Sequence, residues 1–575
     1  MSTEYAKLLN ALPRPDLYDS WELVKRHMPI EQPPSAASYI VFQKGGQCYA
    51  KNGTTGHIEF GPGDASSVIQ SAINALTSGR TWKEKVAVKG NFTLTERIDI
   101  PSYTVLDLSQ AKFAFQNNAN PTPVSFETVT IYTMLTNADH TNGNSDITII
   151  GGRIEGNSAN QNLDRNWALV WFHNVTHGKL LNMDVRDVQC SGMGAPEYNR
   201  AFCYLLTQCT DVTVKGCYGY NAGYEVLGIR NGNKYIRVMD CMFEKGGVHV
   251  LQVADGWWSG ATGSEAIDVG HSHLKATVED VFTIHASQKV RFHHNLCELG
   301  SASICMKLIG SCSDVWIENN RIVASTGHGI VLGAADVPGT IEKVHIIGNE
   351  IQIGSVSYYG IKLGDTGCTV QDIDIFNNRI INSGYNGIYN SGTVCSRVNI
   401  VGNNIYAVYR AVDINQGLTN SVIGNNILRG TTAVCYLVGV TNTVITGNYV
   451  YDGTWGIDES SNCDYNIIIA NNVLGITIVS QRIKKVGANT IVKQNIGYVT
   501  ENSGTATFSG NGSTKTFTIA HGLVSTPSKV LVTAGSDAAK GDFYVTYDAT
   551  NITVTYGTAP PSGTNNVVLN WYAAM

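Results

Sequence analysis

Six short segments open on a polar or small residue beside a glycine-bearing corner and run on in aliphatics: 224–229 (YEVLGI), 249–253 (HVLQV), 280–284 (DVFTI), 302–306 (ASICM), 328–332 (HGIVL) and 359–363 (YGIKL). Set in register, their first polar column reads Glu225, His249, Asp280, Ala302, His328, Tyr359. Carboxyl groups in such a column do acid–base work. If the segments are adjacent strands about 4.8 Å apart, Glu225 and Asp280 stand two steps, roughly 9–10 Å, from each other with His249 between them. Carboxyls about 6.5–9.5 Å apart leave room for a glycosidic bond and a water, the arrangement that hydrolyses with inversion. Glu279, beside Asp280, is a second partner, and two acids near each other and near a histidine have the means to push their pKa values apart. Lys307, Lys362, His249, His328 and Tyr359 supply bases and cations of the kind that eliminative cleavage beside a uronate carboxylate needs.

The elements that hold these residues announce themselves in a second pattern. An Asn-x-aliphatic signature recurs every 22 to 29 residues at Asn295, Asn320, Asn349, Asn378, Asn403, Asn425, Asn448 and Asn471. A period of this size belongs to solenoids, and its content of short strands with glycine corners predicts a parallel β-helix. Stacked corner asparagines satisfy turn amides that would otherwise be buried unpaired, at about 0.5–1.5 kcal/mol net per bond. The ladder asparagines are therefore structural.

Around this array the sequence predicts three regions. Residues 1–60 form an arm, with an amphipathic pattern at Trp21, Leu23 and Val24, and a small β segment. Residues 61–502 form the β-helix, opened by a capping helix over 64–76 with Asp64 or Ser66 as N-cap and Val68, Ile69, Ile73 and Leu76 on one face. A stretch at 254–278 breaks the repeat and reads as a projecting loop of the kind that carries function. It holds Trp257 and Trp258, an aromatic pair suited to stacking on sugar rings, and the acids Asp255, Glu265 and Asp268. Residues 503–575 alternate in short strands with Gly, Asn and Ser turns, the pattern of a small antiparallel β-sandwich.

Composition excludes several classes. The 575 residues carry a net charge of −6, so no basic footprint for nucleic acid is present. No apolar run approaches the ~20 residues that span a bilayer. The start, MSTEYAKLLNALPRPD, has no apolar signal core, which implies a removed leader or export by assembly or lysis. Thirteen cysteines show no Cys-x-x-Cys metal spacing, and Cys305, Cys368 and Cys435 fall in core contexts. Asp268, His271 and His273 are of ligand type, but loop polarity accounts for them equally; the sequence assigns no metal and calls for no cofactor. His293 and His294 fall on the ladder side and read as structural.

Here the chain resembles a family. VEDVFTI at 278–284 is similar to the N-T-D-G motif of the polygalacturonase-like glycoside hydrolases, right-handed parallel β-helix enzymes. Gly327-His328-Gly329 matches their G-H-G, and Gly360-Ile361-Lys362 stands where they carry G-x-R-x-K. The resemblance implies that Asp280 is a catalytic aspartate, His328 the active-site histidine and Lys362 the substrate-binding cation. It covers about 90 residues and departs from the family where an adjacent aspartate pair belongs: Ser301 and Ala302 stand there. Lysine is also not equivalent to arginine at a carboxylate. The general acid then comes from Glu225, Glu279 or the 254–278 stretch. The end cap, helix, coils and terminal sandwich also resemble viral tailspikes and viral or archaeal pectin-lyase-type proteins.

The expectation is an all-β, right-handed parallel β-helix acting on polysaccharide, as an inverting hydrolase. The alternatives are a uronate lyase and a non-catalytic glycan-binding spike. It is expected to work outside the cell or on a virion, as a monomer or homotrimer, with no nucleic-acid partner and no membrane insertion.

Overall fold

The computed structural model describes residues 36–126, 129–191, 199–255, 263–301, 303–355, 357–382, 384–390 and 392–575. Trp21, Leu23 and Val24, the tryptophans Trp257 and Trp258, and Ala302 lie outside the described residues. Two compact units are present, Met1–Val370 and Gln371–Met575.

In the first unit, Tyr39–Lys44, Gln47–Asn52 and Ile58–Gly63 form an antiparallel meander, and Tyr39–Lys44 pairs in parallel with Glu84–Leu94. Between them lies the helix Ala65–Asn74. The Asp64 side chain caps it by accepting from the Ser67 N–H at 3.1 Å, and Val68, Ile69, Ala72 and Ile73 are buried. Gln70 ties the helix to the first coils, its side chain bonding both the Asp99 carbonyl and the Asp99 N–H.

From there each coil lays down short strands on three faces. Glu225–Arg230, Lys234–Met239 and Met242–Gly246 make one coil; His249–Val253, Glu265–Gly270 and His273–Ala276 make the next; Asp280–His285, Gln288–His293 and Leu296–Leu299 make a third. Each strand pairs in parallel with its counterpart one coil on. This is the parallel β-helix, whose crossovers turn right-handed almost without exception. Aliphatic and aromatic side chains fill it: Val226, Leu227, Ile229, Phe243, Phe282 and Phe292 are fully buried, and Phe282 on one face stacks on Phe292 of another at 4.4 Å.

The coil path narrows the expected interruption at 254–278 to 254–264, the connection between Val253 and Glu265. Glu265–Gly270 and His273–Ala276 are ordinary coil strands, paired on both sides. Their glycine and histidine corners disguised the repeat.

Corner residues stack as the ladder predicts. The Asn320 Oδ1 accepts from both the N–H and the Nδ2 of Asn295, at 2.9 and 3.1 Å, and Asn349 does the same for Asn320. In the second unit the series runs Asn378, Asn403, Asn426, Asn448, Asn471, Asn495. The ladder member is thus Asn426, not Asn425. Asn425 is exposed at φ 53°, the left-handed corner residue that turns the chain before the ladder position.

The second unit ends in two three-stranded antiparallel sheets. One is Glu501–Gly510, Gly563–Ala574 and Lys529–Ala534; the other is Thr516–Ala520, Asn551–Tyr556 and Phe543–Tyr547. Phe517, Ile519, Ile552, Val554, Val567 and Leu569 from both sheets share one core. No described helix is long and apolar enough to cross a membrane. Every cysteine except Cys190 is buried, as small core residues are.

Candidate functional site

The predicted polar column lies on one face of the first unit. Glu225 pairs with His249 and His249 with Asp280, consecutive coils of a single parallel sheet. Beyond Asp280 the predicted register slips by two. Phe282 pairs with Met306 and Ile304 with His328, so Ile304 holds the place expected for Ala302. Ile330 pairs with Ile361, which brings Tyr359 level with His328. The position in register with Asp280 is therefore aliphatic, and no aspartate pair stands there.

Local contacts show which further positions share this side of the sheet. Glu225 and Arg230 are in contact, Arg230 reaches Gln252, and Thr283 sits by both His249 and Asp280. In Glu225–Arg230 the first and sixth residues meet, and in Asp280–His285 the first and fourth. Gly228, the fourth residue of its strand, must be glycine because a Cβ there would lie 2.6 Å from the Glu225 Oε2.

Asp280 is the centre of the constellation. Its Oδ1 accepts from the Ser303 hydroxyl at 2.6 Å and the Ile304 N–H at 3.0 Å. Its Oδ2 faces the Thr283 hydroxyl at 3.5 Å and the His249 Nδ1 at 3.7 Å. Burial raises its pKa, and Ser303, Lys307, Ile304 and Thr283 pull the other way without cancelling it. Glu279 is half-buried, and burial followed by the Asp280 charge raises it as well, against Ser303 and Lys307. The two carboxyls share Ser303 as a partner, and the Asp280 charge acts on Glu279.

His249 is neutral. Burial, with the charges of Arg230 and Lys307 adding, lowers it to about 3. Its approach to Asp280 is a polar contact rather than an ion pair. The Thr283 hydroxyl lies 3.2 Å from its Nδ1. His285, at the end of the same strand as Asp280, pairs with Asp255 at 3.2 Å.

Glu225 keeps its column position but is spoken for. It is fully buried and paired with Arg230, itself buried and packed 5.4 Å from the Tyr224 ring. Burial works against the Arg230 charge, but Glu225 and Tyr224 together raise the guanidinium; burial also raises Glu225, against the pull of Arg230 and Arg200. A carboxylate held this way stabilises its surroundings and is poorly placed to exchange protons with a ligand.

The remaining predicted residues fall in two places. The His328 Nδ1 accepts from the Tyr359 N–H at 3.1 Å, which leaves the proton on Nε2, and the two rings stack at 5.0 Å. Burial and Lys362 lower His328 to about 4. Lys362 is held by Asp365 at 2.7 Å. Lys307 stands one coil from Thr283 in its column. Asp268 does not belong here: it lies on Glu265–Gly270, a strand of a different face, and bonds His293 at 2.9 Å. Arg230, Gln252, Thr283 and Ser303 went unpredicted, and Gly228 and Arg230 three and five residues after Glu225 are their signal.

A recess of about 850 Å³ elsewhere in the unit is lined by Gln116, Asn117, Glu155, Asn157 and Asp187. Its lining holds no histidine, and Glu155 is tied to Lys112 and Arg153.

No family model and no curated protein matches the chain. Among solved structures it is similar to the tailspike protein of E. coli bacteriophage HK620 in complex with pentasaccharide, at 15% identity over 91% of this chain and 92% of that one, with a TM-score of 0.44. It is also similar to the Azotobacter vinelandii mannuronan C-5 epimerase AlgE6 A-module, at 12% identity over 76% and 95%, with a TM-score of 0.38. At these scores neither neighbour speaks for the chemistry of this chain.

Proposed function

We propose that the protein cleaves a polysaccharide by hydrolysis, with Glu279 as general acid and Asp280 as general base. The observation that carries this reading is the shared environment of the two carboxyls. Hydrogen bonds from Ser303 and Ile304 support the anionic form of Asp280 against the burial that raises it, and its charge in turn raises the neighbouring Glu279, which is more open to a ligand. Carboxyls pushed to different roles by their surroundings are what acid–base cleavage of a glycosidic bond requires. Glu225 is the less suitable partner. Although it stands two coils from Asp280, about 9–10 Å by strand spacing and near the separation used for inversion, Arg230 holds its carboxylate. The stacked His328 and Tyr359, with Lys362 and Lys307, extend the same face as a surface for neighbouring sugars. Action on such a substrate is action outside the cell or at a virion surface.

A second reading, eliminative cleavage, is favoured by one observation: His249, unprotonated at neutral pH, lies near the Lys307 charge that a uronate carboxylate would meet, although a pKa lowered to about 3 makes the ring a weak base. One experiment separates them. Uronate-rich and neutral polysaccharides are incubated with wild type, Asp280→Asn and Glu279→Gln, and reducing ends and near-ultraviolet absorbance are read together. Reducing ends without absorbance, lost by 10²-fold or more in both variants, is the expected result, since general acid–base groups contribute typically 10²–10⁴-fold. Absorbance moves the reading to elimination. Binding without either signal moves it to a glycan-binding spike and overturns catalysis.

A further inference from the structure

We propose that the corner built by His271, His293 and His294 binds one divalent transition-metal ion, independently of the chemistry at Asp280. His271 and His294 occupy equivalent corner positions of successive coils, both left-handed, at φ 52° and 55°. Their rings stack at 5.1 Å, tilted by only 13°, and both side chains are exposed. His293, by contrast, is buried, and its ring is edge-on to both, at 5.5 Å from His271 and 5.2 Å from His294. One nitrogen from each of the three lies within 4.8 Å of the other two.

Turn-forming explains part of this. Histidine tolerates the left-handed region, and the neighbouring coils carry Asp240 and Asn319 at the same corner. It does not explain His293. The Asp268 carboxylate accepts from the His293 Nε2 at 2.9 Å, which fixes the proton on that nitrogen and leaves the Nδ1 lone pair pointing to the corner. There it accepts from the His294 Nδ1 at 3.0 Å, a proton that a bound ion would displace to the His294 Nε2. Two nitrogens each about 2.1 Å from a common ion lie roughly 3.0–3.4 Å apart, so this pair already has ligand spacing. His271, exposed, closes the third position by a side-chain rotation. The ring of His293 reaches its place only because residue 270 is glycine: a Cβ there would sit 2.5 Å from Cε1 and 2.6 Å from Nε2. Glu318, in register with His293, is engaged by Arg291 at 2.8 Å and is not a competing ligand. Three imidazoles with a carboxylate behind one of them select zinc, cobalt, nickel or copper over calcium, and leave positions for water.

The sequence sets His271 beside His273 and far from His293 and His294, which hides this cluster. His273, which stands nearer His271 in the chain, pairs instead with Glu298 at 3.2 Å.

The test uses full-length, tag-free protein dialysed against chelator. It is titrated with Zn(II) by calorimetry and with Co(II) by absorption spectroscopy, alongside Ca(II). One equivalent of Zn(II) and of Co(II) is expected to bind, the latter without a thiolate charge-transfer band, and Ca(II) is expected not to. His271→Ala and His294→Ala, both at exposed corners, should each weaken binding at least tenfold. Asp268→Asn and Gly270→Ala, which disturb only the orientation of His293, should weaken it about 10- to 100-fold, the usual effect of losing an outer partner. Absent saturable Zn(II) binding, binding unchanged in both His271→Ala and His294→Ala, or a thiolate band each overturns the proposal.

Discussion

The ladder assignment makes a prediction that separates two adjacent asparagines. Asn426 donates its Nδ2 to the Ile400 carbonyl at 2.8 Å and to the Asn448 Oδ1 at 2.9 Å. Its own Oδ1 accepts from the Asn403 N–H at 2.8 Å and the Asn403 Nδ2 at 3.1 Å. Alanine at 426 removes all four bonds. Two of the partners keep another: the Asn403 Nδ2 still reaches the Ile375 carbonyl, and the Asn448 Oδ1 still accepts from the 426 N–H. The Asn403 N–H loses its acceptor inside a buried corner, while Ile400, whose strand is paired with the next coil, loses only the side-chain bond to its carbonyl. Taking about 1.5 kcal/mol for the stranded N–H and about 0.8 kcal/mol for each of the three other bonds lost, the change costs about 4 kcal/mol. Asn425→Ala, one residue away, loses no ladder bond and places alanine in the left-handed region, at a cost of about 1 kcal/mol. Coil arrays open locally, so the assay is hydrogen exchange by mass spectrometry on peptides covering 396–430. Amides there should exchange roughly 10³-fold faster in Asn426→Ala and under tenfold faster in Asn425→Ala, by the usual 1.4 kcal/mol per decade of equilibrium constant. Equal acceleration in the two variants, or a larger one at 425, would refute the reasoning.

Two further outcomes follow from the carboxylate-bearing face. Arg230→Ala leaves Glu225 buried and unpaired and should cost about 3–5 kcal/mol in chemical denaturation, whereas replacing both partners by apolar residues of similar volume should recover most of it; a single-variant cost below about 1 kcal/mol would mean the pair is solvated. His249 is held near 3 in the folded state against about 6.5 unfolded. Because the unfolded chain binds this proton more readily, the stability this neutral ring contributes is present above about pH 6.5 and lost as pH falls toward 3. From pH 7 to 5 the loss is about 2 kcal/mol. His249→Leu should flatten that part of the pH–stability curve, and an unchanged slope would contradict a neutral buried imidazole.

Much of this was legible in the chain because the β-helix repeats its constraints. Glycine corners, the asparagine spacing and the aliphatic runs placed Glu225, His249 and Asp280 in one column. What failed did so for local reasons. Asn425-Asn426-Ile427-Leu428 satisfies the signature in two registers, and only the left-handed corner decides between them. The segment after Gly300 carries an aliphatic residue, Ile304, where the column expects a polar one, so nothing in its pattern fixes the register. Charged and histidine residues crowd the corners of Glu265–Gly270 and His273–Ala276, so their pattern resembles a loop. The partners Arg230, Gln252 and Thr283 were invisible for a geometric reason: consecutive residues such as Val226 and Leu227 are both fully buried, so strict alternation mispredicts which side the following residues take.

The in-register parallel pairing of the Asp280 face has an engineering consequence. A step of one coil along a column translates a side chain by about 4.8 Å and leaves its direction unchanged. The face is thus a pegboard with fixed pitch, on which a constellation such as Asp280, Thr283 and Ser303 is portable: the same residue types written one coil earlier or later would rebuild the same local geometry at a new address. Substrate length and point of cut could be tuned by moving the pegs, with the aliphatic interior and the corner ladder left as they are.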